Sequence, residues 1–203
     1  MERVEVFADV VCPFTHVGLR RFVEERCARG VHVPMRVRSW PLELINGAPL
    51  AAELVGREVE ALQRSVAPDL FKGFEPATFP STSLAAFGLA ACAYALDDNT
   101  GEAVSLALRD AVFEHGLDVS DDAVLVEIGR PFGVEPFAPE RCEAVARIDW
   151  ERGRVRGVHG SPHFFVGERG WFCPSLAIGH DDGRFDVDVA GETLREFYAA
   201  ALG

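Results

Sequence analysis

Two short segments hold the residues whose chemistry stands out. The first runs D-V-V-C-P-F-T-H-V-G from Asp9 to Gly18, with Cys12 directly before Pro13 and a helix pattern after them. A cysteine at the N-cap, followed by a proline whose fixed φ suits the first helical position, sets its sulfur against the unsatisfied amides of a first turn. The expectation is a thiol whose pKa falls, because the positive end of a helix favours the anion. A thiolate present at neutral pH attacks disulfides and electrophiles. The alternative is a buried cysteine packed as a small apolar residue. The second segment, R-G-V-H-G-S-P-H-F-F-V from Arg156 to Val166, puts Ser161 and Pro162 just ahead of a strand pattern. If that Ser-Pro peptide is cis, the backbone of Ser161 is left to pair with an extended peptide or a thiol conjugate. An ordinary turn before a strand is the alternative there.

The elements that must position these segments follow from hydrophobic spacing. Residues 3 to 9 alternate as a strand; Leu19, Phe22, Val23 and Cys27 form one helix face, with Gly30 as its stop. Val31 to Arg38 alternates strictly, and Pro34 within it favours a sheet edge. These pieces predict a parallel β-α-β unit. Helices are predicted over 51–65, 81–96, 100–115, 121–129 and 139–153, with Asn99 and Glu102 as a capping box at the third. H-F-F-V, a turn at G-E-R-G and W-F-C-P then read as an antiparallel hairpin that sets Cys173 opposite Phe164, and a helix over 191–202 closes the chain. The order is β-α-β, a helical block, then β-β-α. With the block removed, the remainder is the minimal thioredoxin topology, an α/β fold with an inserted all-helical domain. The expected division is 1–48 with 157–203 for the thioredoxin-fold part and 49–156 for the insertion.

Bulk properties narrow the partners. A formal charge of -12, from 20 basic and 32 acidic residues, repels a phosphate backbone, so nucleic acid is not expected. The start shows no export pattern and the Leu84 to Leu96 stretch is too short for a membrane span, which predicts a cytoplasmic chain with no membrane partner. The five cysteines, at 12, 27, 92, 142 and 173, include no C-x-x-C pair and match no zinc spacing, so neither a disulfide framework nor a metal is expected. Asp9 reads as a hydrogen-bonding anchor for the loop rather than a base, since a carboxylate beside the sulfur would oppose its ionisation. His16 and His163 are candidates for positive charge near Cys12, or are surface hydrogen-bonding groups.

Taken together, a cysteine-proline dipeptide opening a helix, a helical insertion and G-V-x-G-S-P-x-F-F-V before a hairpin resemble the DsbA-like thioredoxin-fold oxidoreductases. The likeness is to the FrnE-like members and, through them, to kappa-class glutathione transferases and 2-hydroxychromene-2-carboxylate isomerases. Dithiol members of that family carry C-P-x-C, whereas this chain carries C-P-F-T with Thr15 at the resolving position. The resemblance therefore implies a monothiol enzyme: Cys12 and Thr15 as the catalytic pair, and Pro13, Phe14, Ser161, Pro162 and His163 facing the substrate. No tightly bound cofactor is expected, but a low-molecular-weight thiol, glutathione or mycothiol, must resolve the mixed disulfide. The arginine-rich basic set, with Lys72 its one lysine, tilts toward mycothiol through a GC-rich genome. A thiol-dependent transferase or isomerase acting on an electrophile is the second reading, and a non-catalytic binding protein the third. Oligomeric state stays open, a homodimer included.

Overall fold

The computed structural model describes residues 3–136, 138–181 and 184–203. Its main sheet has four strands in the order β2-β1-β3-β4, formed by β1 (Val4–Ala8), β2 (Met35–Ser39), β3 (His163–Val166) and β4 (Arg169–Phe172). β1 pairs parallel with β2 and antiparallel with β3, and β3 pairs antiparallel with β4. Helix α1 (Pro13–Ala28) supplies the crossover between β1 and β2. Phe22, Phe164, Trp171 and Phe197 form the buried aromatic layer between the sheet, α1 and the last helix, α8 (Gly191–Leu202). On the opposite face Phe7 and Phe165 pack with Trp40.

The helices between β2 and β3 are α2 (Leu42–Asn46), α3 (Ala52–Ser65), α4 (Leu84–Leu96), α5 (Asp98–Phe113), α6 (Asp122–Gly129) and α7 (Pro139–Val155). Three of them close the free edge of the sheet. On β2 the outward amides belong to alternate residues, and each finds an acceptor on a different helix. Met35 N–H donates to Glu102 of α5 at 3.1 Å, Val37 N–H to the Tyr94 hydroxyl of α4 at 2.7 Å, and Ser39 N–H to Asp149 of α7 at 3.3 Å. An unpaired edge is thereby satisfied by side chains, which locks the helical block to the sheet. Tyr94 reaches it because α5 passes close by at Gly101, where a Cβ would stand 2.0 Å from the ring.

Several sequence expectations need revision. The second strand begins at Met35, four residues later than the alternation suggested, because the ladder with β1 starts at the Val4–Met35 pair. Pro34 lies just before the strand rather than within it, and β2 is an edge strand as expected. Asp97, not Asn99, caps α5 by accepting from Thr100 N–H at 2.9 Å. The β3–β4 turn is shorter than G-E-R-G: Val166 pairs with Arg169, so Trp171 rather than Cys173 stands opposite Phe164. Cys173 is pushed past the strand end and donates its N–H to the Pro162 carbonyl at 2.9 Å. A second sheet was missed altogether, the hairpin of β5 (Leu176–Asp181) and β6 (Arg184–Val189). No helix among the described residues is long and apolar enough to cross a membrane.

Candidate functional site

Cys12 stands at the N-cap of α1 with Pro13 in the first turn. Its thiol donates to the Ser161 carbonyl at 3.3 Å, and the Ser161–Pro162 peptide is cis. The two segments singled out by chemistry, 149 residues apart, therefore meet at one point. Ser161 is the hub of that meeting. Its hydroxyl accepts from Asp9 N–H at 2.8 Å and shares a 2.7 Å hydrogen bond with the Thr15 hydroxyl. Pro162 lies against α1 at Gly18, where an added Cβ would be 3.5 Å from the proline ring.

The loop beneath is tied by Asp9, fully buried. Its carboxylate accepts from Val11 N–H at 3.1 Å and from Leu42 N–H at 2.6 Å, fixing the loop to the start of α2. Burial pushes its pKa up to about 6, against those two amide bonds. Its carbonyl accepts from Arg109 of α5 at 3.1 Å, a guanidinium that is itself buried and whose pKa burial lowers to about 10. Asp9 thus anchors rather than faces the sulfur.

Cys12 opens onto a cavity of about 500 Å³, lined also by Pro13, Phe14 and Ser161 and walled by leucines 42, 50 and 54 with Phe172 and Ile178. Glu58 of α3 adds the one carboxylate among the described lining residues. The sequence had no means to flag Glu58. It follows Leu54 by one helical turn, but the part α3 plays as a wall over Cys12 is set by tertiary packing. Ile178 belongs to the hairpin that the pattern reading missed.

Of the other sequence candidates, Thr15, Pro162 and His163 do not line the cavity. Thr15 is fully buried and braces Ser161. His163 is 5% exposed, stacked between His159 and Phe165, and accepts from His159 N–H at 3.2 Å. Burial first, then the charges of His159 and Arg156, lower its pKa to about 4, so it holds no positive charge for the site at neutral pH. His16 is likewise buried, hydrogen-bonded to Glu114 at 2.7 Å rather than placed at the surface.

The thiol itself departs most from expectation. Cys12 is 3% exposed, and burial pushes its pKa up from 9.0 to about 11. Hydrogen bonds from the Ser161 and Thr15 hydroxyls pull the other way, and the charge of Glu58 adds to the rise. Two units correspond to about 2.7 kcal/mol against the anion. The end of a helix offers roughly 0.3–1 kcal/mol in its favour, so burial wins. The resting sulfur is a protonated thiol. Cys173 is buried in the same apolar cluster, and burial, then the proximity of Cys12, raises its thiol to about 12.

Comparison with known proteins follows the same lines. No curated protein matches the chain. Among solved structures, 2-hydroxychromene-2-carboxylate isomerase superposes with a TM-score of 0.59 at 15% identity, over 83% of this chain and 87% of that one. The cytosolic disulfide reductase DsbM of Pseudomonas aeruginosa gives 0.57 at 18% identity, over 95% and 91%. The same reductase solved with GSH gives 0.58 at 17%, over 83% and 88%. At such identities these likenesses establish the fold. A family model described as the DSBA-like thioredoxin domain matches residues 3–182, taking in the Cys12 turn, the inserted helices and the Ser161–Pro162 loop. With the N-cap thiol hydrogen-bonded to the Ser161–Pro162 loop beside an apolar cavity, that match means the chain belongs to the DSBA-like thioredoxin family.

Proposed function

We propose that the protein is a monothiol thiol-disulfide oxidoreductase in which Cys12 exchanges with a small disulfide or thiol conjugate seated in the apolar cavity. The observation that supports it is the placement of the Cys12 thiol 3.3 Å from the Ser161 carbonyl at the wall of that cavity. Attack by the Cys12 sulfur on the near sulfur of R–S–S–R forms Cys12–S–S–R and releases RS⁻, which takes up the proton Cys12 gave to solvent. Thr15 cannot displace R, so a second, external thiol completes the cycle. In a reducing cytoplasm that thiol is low-molecular-weight, glutathione or mycothiol being the abundant candidates. Intact-mass spectrometry after incubation with bis(2-hydroxyethyl) disulfide tests this reading. An adduct on Cys12, located by peptide mapping, removed by added thiol and missing from Cys12→Ser, is the expected result whether or not exposed Cys27 is also modified; adducts on Cys27 alone refute it.

A second reading has an observation of its own. A thiol held protonated in an apolar cavity also suits a transferase or isomerase, in which a bound small thiol rather than Cys12 attacks a hydrophobic electrophile. Cys12→Ser separates the two. Substantial turnover retained by the variant favours the transferase or isomerase, and near-complete loss favours exchange through Cys12. A protein that forms no adduct and turns nothing over is a binding module.

A further inference from the structure

The cavity wall is apolar, and its charge is one-sided. Among the described residues, Glu58 is the ionisable group of the lining besides Cys12 itself, and no arginine, lysine or histidine lines it. Glu58 is half-buried and makes no hydrogen bond or ion pair with any described residue. Burial pushes its pKa up to about 7, against the charge of its exposed sequence neighbour Arg57, so a cation seated beside it would draw it fully into the ionised form. A carboxylate so placed has unmet demand for a cation, and the demand grows when an apolar ligand expels water.

We propose that the sulfur compound Cys12 takes is a small disulfide or thiol with an apolar body and a protonated amine that pairs with Glu58, and that carboxylate-bearing partners such as glutathione are selected against. This rests on the exchange reading given above and narrows its substrate class. Size does not decide the matter: about 500 Å³ accommodates any small thiol conjugate. Charge does. Glutathione brings one ammonium but two carboxylates, a net negative charge beside Glu58, and among the described residues no basic side chain lines the cavity to receive those carboxylates.

The same pairing bears on reactivity. The negative charge of Glu58 opposes ionisation of Cys12. An ammonium seated against Glu58 cancels that opposition, so the sulfur becomes easier to ionise once the right partner is in place. A carboxylate in the same position deepens the opposition.

Three symmetrical disulfides test the inference: cystamine, which is dicationic, bis(2-hydroxyethyl) disulfide, which is neutral, and 3,3′-dithiodipropionate, which is dianionic. Adduct formation on Cys12 is timed by intact mass and normalised to the rate of each compound with 2-mercaptoethanol. The expected order is cationic over neutral over anionic, by about tenfold at each step, as for one partly screened charge contact. Glu58→Gln compresses the spread to below about threefold, with thermal unfolding confirming that the variant stays folded. A separate arm needs no chemistry at Cys12: calorimetry on Cys12→Ser with 4-phenylbutylamine and 4-phenylbutyrate. Binding of the amine and not the acid, lost when Glu58→Gln is added, is expected. Adducts without charge preference, a spread unchanged in Glu58→Gln, or equal binding of the acid overturns the cation site and leaves exchange standing. Amine binding with no adduct on Cys12 from any disulfide overturns exchange and leaves the cation site standing, while neither binding nor adduct overturns both.

Discussion

Alkylation of Cys12 as a function of pH separates the two forces on its sulfur. Iodoacetamide reacts with thiolate, so its rate constant follows the ionised fraction multiplied by intrinsic nucleophilicity. With burial holding the thiol at about 11 rather than 9.0, the thiolate fraction at pH 7.5 falls by roughly two orders of magnitude. A more basic thiolate is a better nucleophile, and a Brønsted slope of about 0.4–0.5 returns a factor of roughly six to ten over two units. The net deficit is therefore about tenfold against N-acetylcysteine, before restricted access at 3% exposure is added. Exposed Cys27 should be modified first, the reverse of what the Cys-Pro motif alone suggests. The Cys12 rate should climb about tenfold per pH unit to beyond pH 10, read by peptide mapping of timed samples. A rate above that of N-acetylcysteine with a plateau below pH 8.5 would falsify the account, because it would mean that the first-turn amides of α1 outweigh desolvation.

Further outcomes follow from single contacts. Ser161→Ala removes the partner of Asp9 N–H and of the Thr15 hydroxyl, and at about 1–3 kcal/mol for each group left unsatisfied it should cost about 2–6 kcal/mol in urea unfolding; a loss below about 1 kcal/mol sinks the hub role. Tyr94→Phe leaves the Val37 amide on the β2 edge without an acceptor and should cost about 1–3 kcal/mol, with amide exchange at Val37 accelerated; unchanged exchange there is the contrary result. Glu114 accepts from His16, Phe71 N–H and Lys72 N–H, bonds that outweigh its burial and hold its carboxyl at about 2. Because its folded value lies below the unfolded one of about 4.5, its contribution is present above pH 4.5 and lost as pH falls toward 2. Glu114→Gln should therefore cost about 1–2 kcal/mol at pH 7 after allowance for solvent screening, and the gap to wild type should close on acidification through that window; a gap independent of pH refutes it.

How much of this was legible in the sequence depended on the range of the interactions. Cys12 at the N-cap, Pro13 after it and Ser161–Pro162 before a strand are local patterns, and the chain order β-α-β, helices, β-β-α fixed which of them could meet. What eluded the pattern was set by contacts between distant segments. The β3–β4 turn differs from expectation by two residues, which was enough to move Cys173 from opposite Phe164 to opposite Pro162. The R-F-D-V-D-V alternation of β6 was present to be read. Glu58 was not, since its meaning depends on α3 lying over Cys12. The sign of the Cys12 shift was lost for the same reason: the helix terminus is local, whereas the burial that outweighs it belongs to an apolar cluster that joins Cys12 with distant residues such as Val59, Leu176 and Val187.

Thr15 makes that burial intelligible. A second cysteine there would have to reach Cys12 in order to expel a bound partner. The threonine instead turns its hydroxyl to Ser161, which also takes Asp9 N–H on its hydroxyl and the Cys12 thiol on its carbonyl. Three points of the Asp9–Gly18 segment are thus fastened through one residue, and the resolving position has become a strut. On the exchange reading proposed above, a sulfur held this rigidly, protonated and with threonine at the resolving position, gains nothing from reacting with every disulfide that passes. It is better suited to a partner that fills the cavity, offsets the charge of Glu58 and leaves again with an outside thiol. Thr15→Cys is the direct test of that division of labour. The variant should form an internal disulfide, seen as a loss of about 2 Da on oxidation, and should show the weakened Ser161 hub as reduced stability when the bond is reduced. Full stability in the reduced variant would mean that the threonine hydroxyl carries no load, and the strut would have to be abandoned.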